Sequence, residues 1–485
     1  MNLLIDMIQE GKTNLYIDGK WQPAGDGLEI DVLDPSTGLP LTRVAAAGVE
    51  DAIEAVDAAA GAGPRWASAA PRERSEVLRR GYELMTQRAD ELAELIVLEM
   101  GKALPEARGE VIYAAEFFRW YSGEAVRNHG SILTAPGGDK RILAIHQPIG
   151  VSLLVTPWNF PAAMATRKIG PAIAAGCTMI LKPASDTPLT ALAVASLLEE
   201  VGLPHGILNV IPARSSTQVV AAVLADPRVR KLSFTGSTEV GRQLLKLAAE
   251  RVVDVSMELG GNAPFLVFED ADVDAAVEGA MIAKMRNGGQ SCIAANRMYV
   301  HDAVSDAFTK GLSSAMAAVR TGPGLEPGVE LGPMINQAAQ RSLGELVEVS
   351  VGEGSTVATG GRAPDRPGFF FEPTVLTGVG PADPILRNEI FGPIAPVVDF
   401  QAEGEAVELA NATHHGLAAY VYTRDLARAL RVSEALEAGM VGVNRGLISD
   451  PAAPFGGVKE SGIGREGGHE GMLEFLETKY IAADW

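Results

Sequence analysis

From about residue 142 onward the chain alternates short apolar runs with helical stretches, and this alternation narrows its fold more than any other feature. Apolar runs at 150–156, 177–182, 207–211, 231–235 and 264–268 are separated by helix-patterned segments at 164–175, 189–201, 216–225 and 240–251. A strand followed by a helix every 25 to 30 residues or so builds a parallel sheet with crossover helices. A second alternation spans residues 265–445, through 273–284, 298–300, 305–319 and 407–410. A chain of 485 residues has room for two or three domains of about 150 residues each. Two alternations favour two α/β lobes. Ahead of them, residues 49–62 are rich in Ala, and 72–100 carry Val77, Leu78, Leu84, Leu92, Leu95, Ile96 and Leu98 near helical spacing, so both predict helices. Residues 122–141 read as an excursion from the lobes, and 472–485 end in a strand that needs a partner, often another subunit.

Charge and cysteine content remove several classes of function. Against 61 Asp and Glu stand 41 Lys and Arg, a formal net charge of −20 that repels phosphate backbones, so no nucleic-acid partner is expected. The two cysteines, Cys177 and Cys292, cannot form a disulfide framework, and nothing suggests a metal site. The apolar stretch at 169–181 is too short to span a membrane, and the N-terminus lacks a basic start or a cleavage site. These features predict a cytoplasmic protein with no membrane partner.

Six motifs carry chemistry-capable residues. Phe234-Thr235-Gly236-Ser237-Thr238-Glu239-Val240-Gly241 is a strand, a turn and a helix start. Gly236 lets backbone approach a phosphate and the helix supplies N–H donors, although Thr238 fills the second glycine position of the dinucleotide fingerprint. Taken alone, it also reads as an ordinary glycine-capped turn. Cys292 lies in Gly288-Gly289-Gln290-Ser291-Cys292, where a thiol is reachable and backbone N–H groups can face its ligand. A small buried apolar residue is the alternative there, and it is the expected reading for Cys177. Glu258 precedes Leu259-Gly260-Gly261-Asn262, either as a working carboxylate or as a turn cap. Thr156-Pro157-Trp158-Asn159-Phe160-Pro161 ends a strand and offers an Asn amide at the carboxyl edge of a sheet, where ligands bind. Lys182-Pro183-Ala184-Ser185 ends another strand, and Glu389-Ile390-Phe391-Gly392-Pro393 completes the set.

In this order the motifs resemble the aldehyde dehydrogenase superfamily over essentially the whole chain. The resemblance implies an α/β fold with a Rossmann-type cofactor domain (1–121 and 142–258), a catalytic domain (259–461) and oligomerisation segments (122–141 and 462–485) that make a homodimer or homotetramer. It implies that Cys292 attacks the aldehyde and forms a thioester, that Asn159 and the Cys292 N–H hold the oxyanion, and that Glu258 is the general base for deacylation. For the cofactor it implies Lys182 and Glu389 at the two riboses, Gly236 and Ser237 at the phosphates, and Thr156, Pro157, Trp158 and Leu259 alongside. Ser185 stands where NAD-restricted relatives often carry Glu. With Lys182 it leaves room and a donor for a 2′-phosphate, so acceptance of NADP alongside NAD is expected, with Asp186 opposed to it if turned inward. Pro212-Ala213-Arg214-Ser215-Ser216 departs from the glycine-rich stretch of many members.

Within the superfamily the resemblance is to the succinate-semialdehyde dehydrogenases, through Trp158-Asn159-Phe160-Pro161 and the residues up to Lys168, through Met285-Arg286-Asn287, and through 444–464. It implies that Arg167, Arg286 and Ser449 grip a carboxylate tail, as bidentate guanidinium groups can. The alternative is that the arginines are structural ion-pair partners. Ala294 replaces a second cysteine common in that subfamily, which removes a redox disulfide there. Arg445 adds charge near the expected tail site and would favour a longer or doubly acidic semialdehyde. Other readings are a dehydrogenase of glutarate semialdehyde, 2-oxoglutarate semialdehyde or an aromatic aldehyde, a CoA-acylating enzyme, and a non-catalytic structural member. Glu258 opposes the CoA-acylating reading, and the set of Cys292, Glu258 and Asn159 opposes the structural one.

Overall fold

The computed structural model describes residues 2–484, so Met1 and Trp485, the outer ends of the expected cofactor and oligomerisation segments, lie outside it. Five parallel strands form the centre of the first sheet: β1 (Val151–Val155), β2 (Met179–Lys182), β3 (Leu208–Val210), β4 (Val229–Thr235) and β5 (Asp254–Glu258). Their order across the sheet is β3-β2-β1-β4-β5, with the chain reversing direction of growth between β1 and β4. That reversal leaves a crevice outside the carboxyl ends of the strands, the usual ligand position in a doubly wound sheet. The antiparallel edge strands Leu15–Ile17 and Lys20–Gln22 extend the β3 side, and Gly462–Ile463 pairs with β5. Every residue of β1 and β2 is buried, as expected of strands covered on both faces.

Crossover helices α1 (Pro161–Ala175), α2 (Pro188–Glu200), α3 (Ser216–Ala225) and α4 (Thr238–Ala249) follow β1 to β4 in turn. Helix α1 begins with Pro161, whose fixed φ suits a first turn, and stops at Gly176 in the left-handed region. It is buried on all sides, and so it carries Arg167 and Lys168 into the interior. Its first turn is held by the Glu110 carboxylate, which accepts from Ala162 N at 2.9 Å and pairs with Lys102 at 2.5 Å. The buried Glu99 does the same for α2, accepting from Leu189 N and Thr190 N.

The second sheet has β6 (Ala263–Val267), β7 (Ala295–His301), β8 (Ile394–Phe400) and β9 (Ala418–Tyr422) in the parallel order β8-β7-β6-β9. Met440–Val443 extends it at one edge and Thr374–Thr377 and Thr356–Thr359 at the other. Between β6 and β7 runs α5 (Val273–Met285). A third sheet joins Ser131–Thr134, Arg141–Pro148 and Leu476–Ala483, all antiparallel.

Two local expectations change and a third is qualified. The predicted 72–100 helix is two helices, Pro71–Gln87 and Ala89–Met100, because Arg88 leaves helical geometry at φ −99° and ψ 23°. No Gly or Pro marks that break, and the two apolar faces continue through it. Strand β5 ends at Glu258 after an apolar run, as expected, but it is polar at Asp254 and Ser256 and so stands outside the regular series of apolar runs. The excursion begins later and ends later than 122–141, because the helix Leu104–Glu124 runs through its start and the hairpin returns as far as Pro148. Its partner is the terminal strand of the same chain, in register from Leu476 opposite Pro148 to Ala483 opposite Arg141.

Candidate active site

A cavity of about 260 Å³ opens where the carboxyl ends of β1, β4 and β5 meet the turn after α5. It brings together Cys292, Glu258, Asn159, Arg167, Arg286, Ser449, Glu389, Pro157, Trp158, Gly236, Ser237 and Leu259. Thr156, Lys182 and Ser185 do not line it. Thr156 and Lys182 sit side by side at the ends of β1 and β2, where Thr156 N donates to the Lys182 carbonyl at 3.2 Å. Ser185 faces a neighbouring cavity with Asp186 and Arg214.

The cysteine is delivered by an unusual turn. After α5 the backbone takes three consecutive left-handed residues, Asn287 (φ 54°), Gly288 (φ 61°) and Gly289 (φ 75°). Glycine adopts that region at no steric cost, and Asn tolerates it better than most residues. Asn287 also pins the turn, its Nδ2 donating to the Asn159 carbonyl at 2.8 Å and to the Gln290 carbonyl at 3.1 Å. The Asn159 carbonyl accepts from Lys102 Nζ at 2.8 Å as well, which fixes the opposite wall. Asn159 Nδ2 donates to the Gln290 carbonyl at 3.0 Å, and its second N–H remains for a ligand. Gly261 packs on the Cys292 carbonyl so closely that a Cβ would overlap it.

Burial sets the resting protonation of the site. It pushes the Cys292 thiol up to about 12, with Arg167 pulling it back and the Glu389 and Glu258 carboxyls pushing it further. Burial also lifts Glu258 well above the usual carboxylate range, the Glu466 charge adds to this, and Arg167 and Lys168 oppose it. Both Glu258 oxygens are buried without a hydrogen-bond partner. A buried carboxyl in that condition is a stronger base than an exposed one.

Beneath Glu258 lies a charge cluster that the sequence did not reveal. Arg167 Nε sits 2.5 Å from Glu466 Oε2, close but not aligned as a hydrogen bond, and Lys168 Nζ pairs with Glu466 Oε1. Burial alone would raise Glu466, yet Lys168 and Arg167 together hold it below its usual value. Arg167 is therefore an ion-pair partner as well as a cavity wall, with its guanidinium 4.2 Å from the Phe455 ring centre. Arg286 differs. Among the described residues no carboxylate forms an ion pair with it, and its guanidinium rests over Phe160 at 4.9 Å and Tyr113 at 5.6 Å. Tyr113, from the helix Leu104–Glu124, was also missed. Its hydroxyl is buried without an aligned hydrogen bond, close to Arg167 and Ser449. Arg445 does not line the cavity: it is exposed, and its Nε donates to the Leu447 carbonyl at 2.6 Å. The expected shift toward longer acids loses its basis.

The crevice over β1, β2 and β4 has free groups suited to a dinucleotide. The Lys182 ammonium is buried with no acceptor from the protein, and burial lowers it to about 8, with Asp186 opposing. Thr235 Oγ1 is buried without a partner. A Cβ on Gly236 would lie 2.5 Å from the Phe234 ring, so the turn into α4 stays bare. Ser237 caps that helix through Val240 N at 3.3 Å. Glu389 accepts from Gly261 N at 3.1 Å, and burial raises it to about 7. These residues fit a nicotinamide dinucleotide. Among the described residues no cluster of three metal-ligating side chains occurs, and no helix is long and apolar enough to cross a membrane.

The relatives agree with this arrangement. The sequence profile of the aldehyde dehydrogenase family matches residues 21–481. A succinate-semialdehyde dehydrogenase of Paenarthrobacter nicotinovorans is 54% identical over 441 residues, 91% of this chain and 98% of that protein. A glutarate-semialdehyde dehydrogenase of Pseudomonas aeruginosa is 50% identical over 466 residues, 96% of each. The crystal structure of an NADP-dependent enzyme of E. coli superposes with a TM-score of 0.96 at 48% identity, covering 98% of both chains. Aldehyde dehydrogenases are oxidoreductases that take small aldehydes and use NAD(P). The profile match over most of the chain and the 54% identity show that the chain belongs to the aldehyde dehydrogenase family.

Proposed function

We propose that this enzyme oxidises succinate semialdehyde to succinate, with NADP preferred to NAD. One observation carries the substrate reading. Arg286, a guanidinium with no ion-pair partner among the described residues, shares one cavity with Ser449 and the Cys292 thiol. A cation left uncompensated in a half-buried wall is stabilised by an anionic ligand, and a short acid aldehyde presents one end to it and the other to sulfur. Arg167 is already balanced by Glu466, so it orients and screens more than it supplies net charge. The names of the relatives, which include four- and five-carbon semialdehydes, support an acid-tailed substrate.

The reaction follows from the groups present. Cys292 loses its proton to solvent water at the cavity as its sulfur attacks the carbonyl carbon, and Arg167 is the nearby cation that favours the thiolate. The second N–H of Asn159 and the Cys292 backbone N–H receive the oxyanion. A bound NAD(P) supplies the two-electron oxidant that converts the adduct to a thioester. Glu258 acts as its carboxylate, which burial and the Glu466 charge make a stronger base than an exposed one: it takes a proton from the water that attacks the thioester carbon, and the acid leaves as the Cys292 sulfur departs as thiolate. Gly236, Ser237, Thr156, Pro157, Trp158, Leu259, Lys182, Ser185 and Glu389 form the cofactor crevice in this reading. The sheet containing β1 to β5 is the cofactor domain and the sheet containing β6 to β9 the catalytic one. The third sheet, with Ile132 and Tyr480 exposed and both edges open, makes a homodimer or homotetramer. A cytoplasmic setting suits the free Cys292 thiol.

The test is a comparison of kcat/KM for succinate semialdehyde, glutarate semialdehyde, butanal and benzaldehyde, each with NAD and NADP. Succinate semialdehyde with NADP is expected to lead. A lead for glutarate semialdehyde moves the substrate by one carbon, and parity with butanal removes the carboxylate clamp.

A further inference from the structure

We infer that Arg214 is a specificity residue for the cofactor, its guanidinium receiving the 2′-phosphate of NADP beside Ser185 and Lys182. The inference deepens the NADP reading above and rests on it. In a doubly wound sheet the ribose of the adenosine half lies beyond the carboxyl end of the second strand, where a carboxylate reads the 2′-hydroxyl or an arginine accommodates a 2′-phosphate. Here that strand is β2, and it ends at Lys182. The next strand over, β3, ends at Val210 and leads directly into Ile211-Pro212-Ala213-Arg214.

The two strand ends are tied together. Ser185 Oγ donates to the Ala213 carbonyl at 3.0 Å, and the Pro212 carbonyl accepts from Ala47 N at 2.7 Å. The loop is thereby fixed with Arg214 at the wall of the same cavity as Ser185, about 350 Å³ in volume. Four acidic residues also line that cavity; three are engaged by groups outside it, and Asp186 meets Asn336 within it. Glu99 is consumed by the first turn of α2. Asp186 accepts from Asn336 Nδ2 at 3.5 Å. Asp31 pairs with Arg43 at 2.9 Å, and Glu29 lies 3.9 Å from the same guanidinium. Arg214 is exposed and makes no hydrogen bond or ion pair among the described residues. It is the uncommitted cation at this mouth, and Lys182, at the end of β2 three residues before Ser185, is a second cation with no acceptor from the protein. A doubly charged phosphate suits two cations, whereas a ribose hydroxyl leaves both unmatched.

The test is binding without turnover. Affinities of the purified enzyme for NADP, NAD, 2′,5′-ADP and 5′-AMP are measured by calorimetry for the wild type, Arg214→Ala and Arg214→Lys. The expected result is that Arg214→Ala weakens NADP and 2′,5′-ADP by about tenfold or more, shifts NAD and 5′-AMP less than about twofold, and that Arg214→Lys falls between. If the wild type favours NADP and Arg214→Ala keeps the same NADP-to-NAD ratio, the NADP reading stands and the role of Arg214 is overturned. If the wild type binds NAD as tightly as NADP, the cofactor reading falls and takes this inference with it.

Discussion

Replacing Arg286 by Leu separates the carboxylate clamp from the rest of the machinery. Its guanidinium lies over Phe160 and Tyr113 with no ion-pair partner among the described residues, so a Leu of similar reach keeps the apolar contact, and the half-buried Glu106, which feels the Arg286 charge, keeps Lys102 and the Asn287 N–H. What is lost is a charge-assisted contact to the substrate, worth about 1.5–3 kcal/mol, or roughly 10- to 150-fold in kcat/KM. Butanal has no acid group to lose, so its kcat/KM should change less than about threefold. Steady-state rates on both substrates, with a melting curve to confirm folding, give the answer. An equal loss on butanal would refute the reasoning, because Arg286 would then be supporting the cavity and not the acid. Arg167→Ala is the poorer probe. It leaves Glu466 with Lys168 alone and disturbs the charges around Glu258, and breaking such a buried pair costs about 3–5 kcal/mol of stability.

Other substitutions and conditions test separate parts of the site. Glu258→Gln should retain a burst of about one NADPH per active site and lose steady turnover by about 10²-fold or more, measured by stopped flow; loss of the burst would place Glu258 in the first half-reaction. Asn159→Ala should lower kcat by about 10²–10³, with cofactor affinity preserved in a titration. Because burial and Glu466 raise Glu258, the deacylation rate should fall as pH drops through a value above the usual carboxylate range, and Glu466→Gln should move that limb to lower pH. Lys182 is charged below about 8, so NADP affinity should weaken as pH rises past that value while NAD affinity changes less.

Residues acting through local sequence were legible. Cys292 stands out because a nucleophile reached through left-handed backbone needs Asn and Gly just before it, and Asn287-Gly288-Gly289 supplies them. Asn159, Glu258 and Lys182 stand at strand ends that the apolar runs already marked. Residues acting across the fold were not legible. Glu466 meets Lys168 across 298 residues, and no periodicity links a polar residue near the C-terminus to a lysine in a buried helix. Tyr113 looked like any aromatic on a helix until the helix was docked beside Arg167. The split at Arg88 was hidden for a related reason: apolar spacing records which faces are buried, not whether both face one neighbour.

Cys177 has a consequence of its own. It is fully buried, burial pushes its thiol up to about 11, and its Sγ donates to the carbonyl of Phe475, the residue just before the terminal strand Leu476–Ala483. Burial raises the Cys292 thiol as well, so access decides between them: Cys292 is partly exposed at the cavity, and a thiol reagent entering there meets Cys292 and passes Cys177 by. Labelling at Cys177 requires the C-terminal strand to peel back. One chain thus contains two clocks on the same reagent: a fast one that counts competent catalytic centres, and a slow one that times the detachment of its own tail.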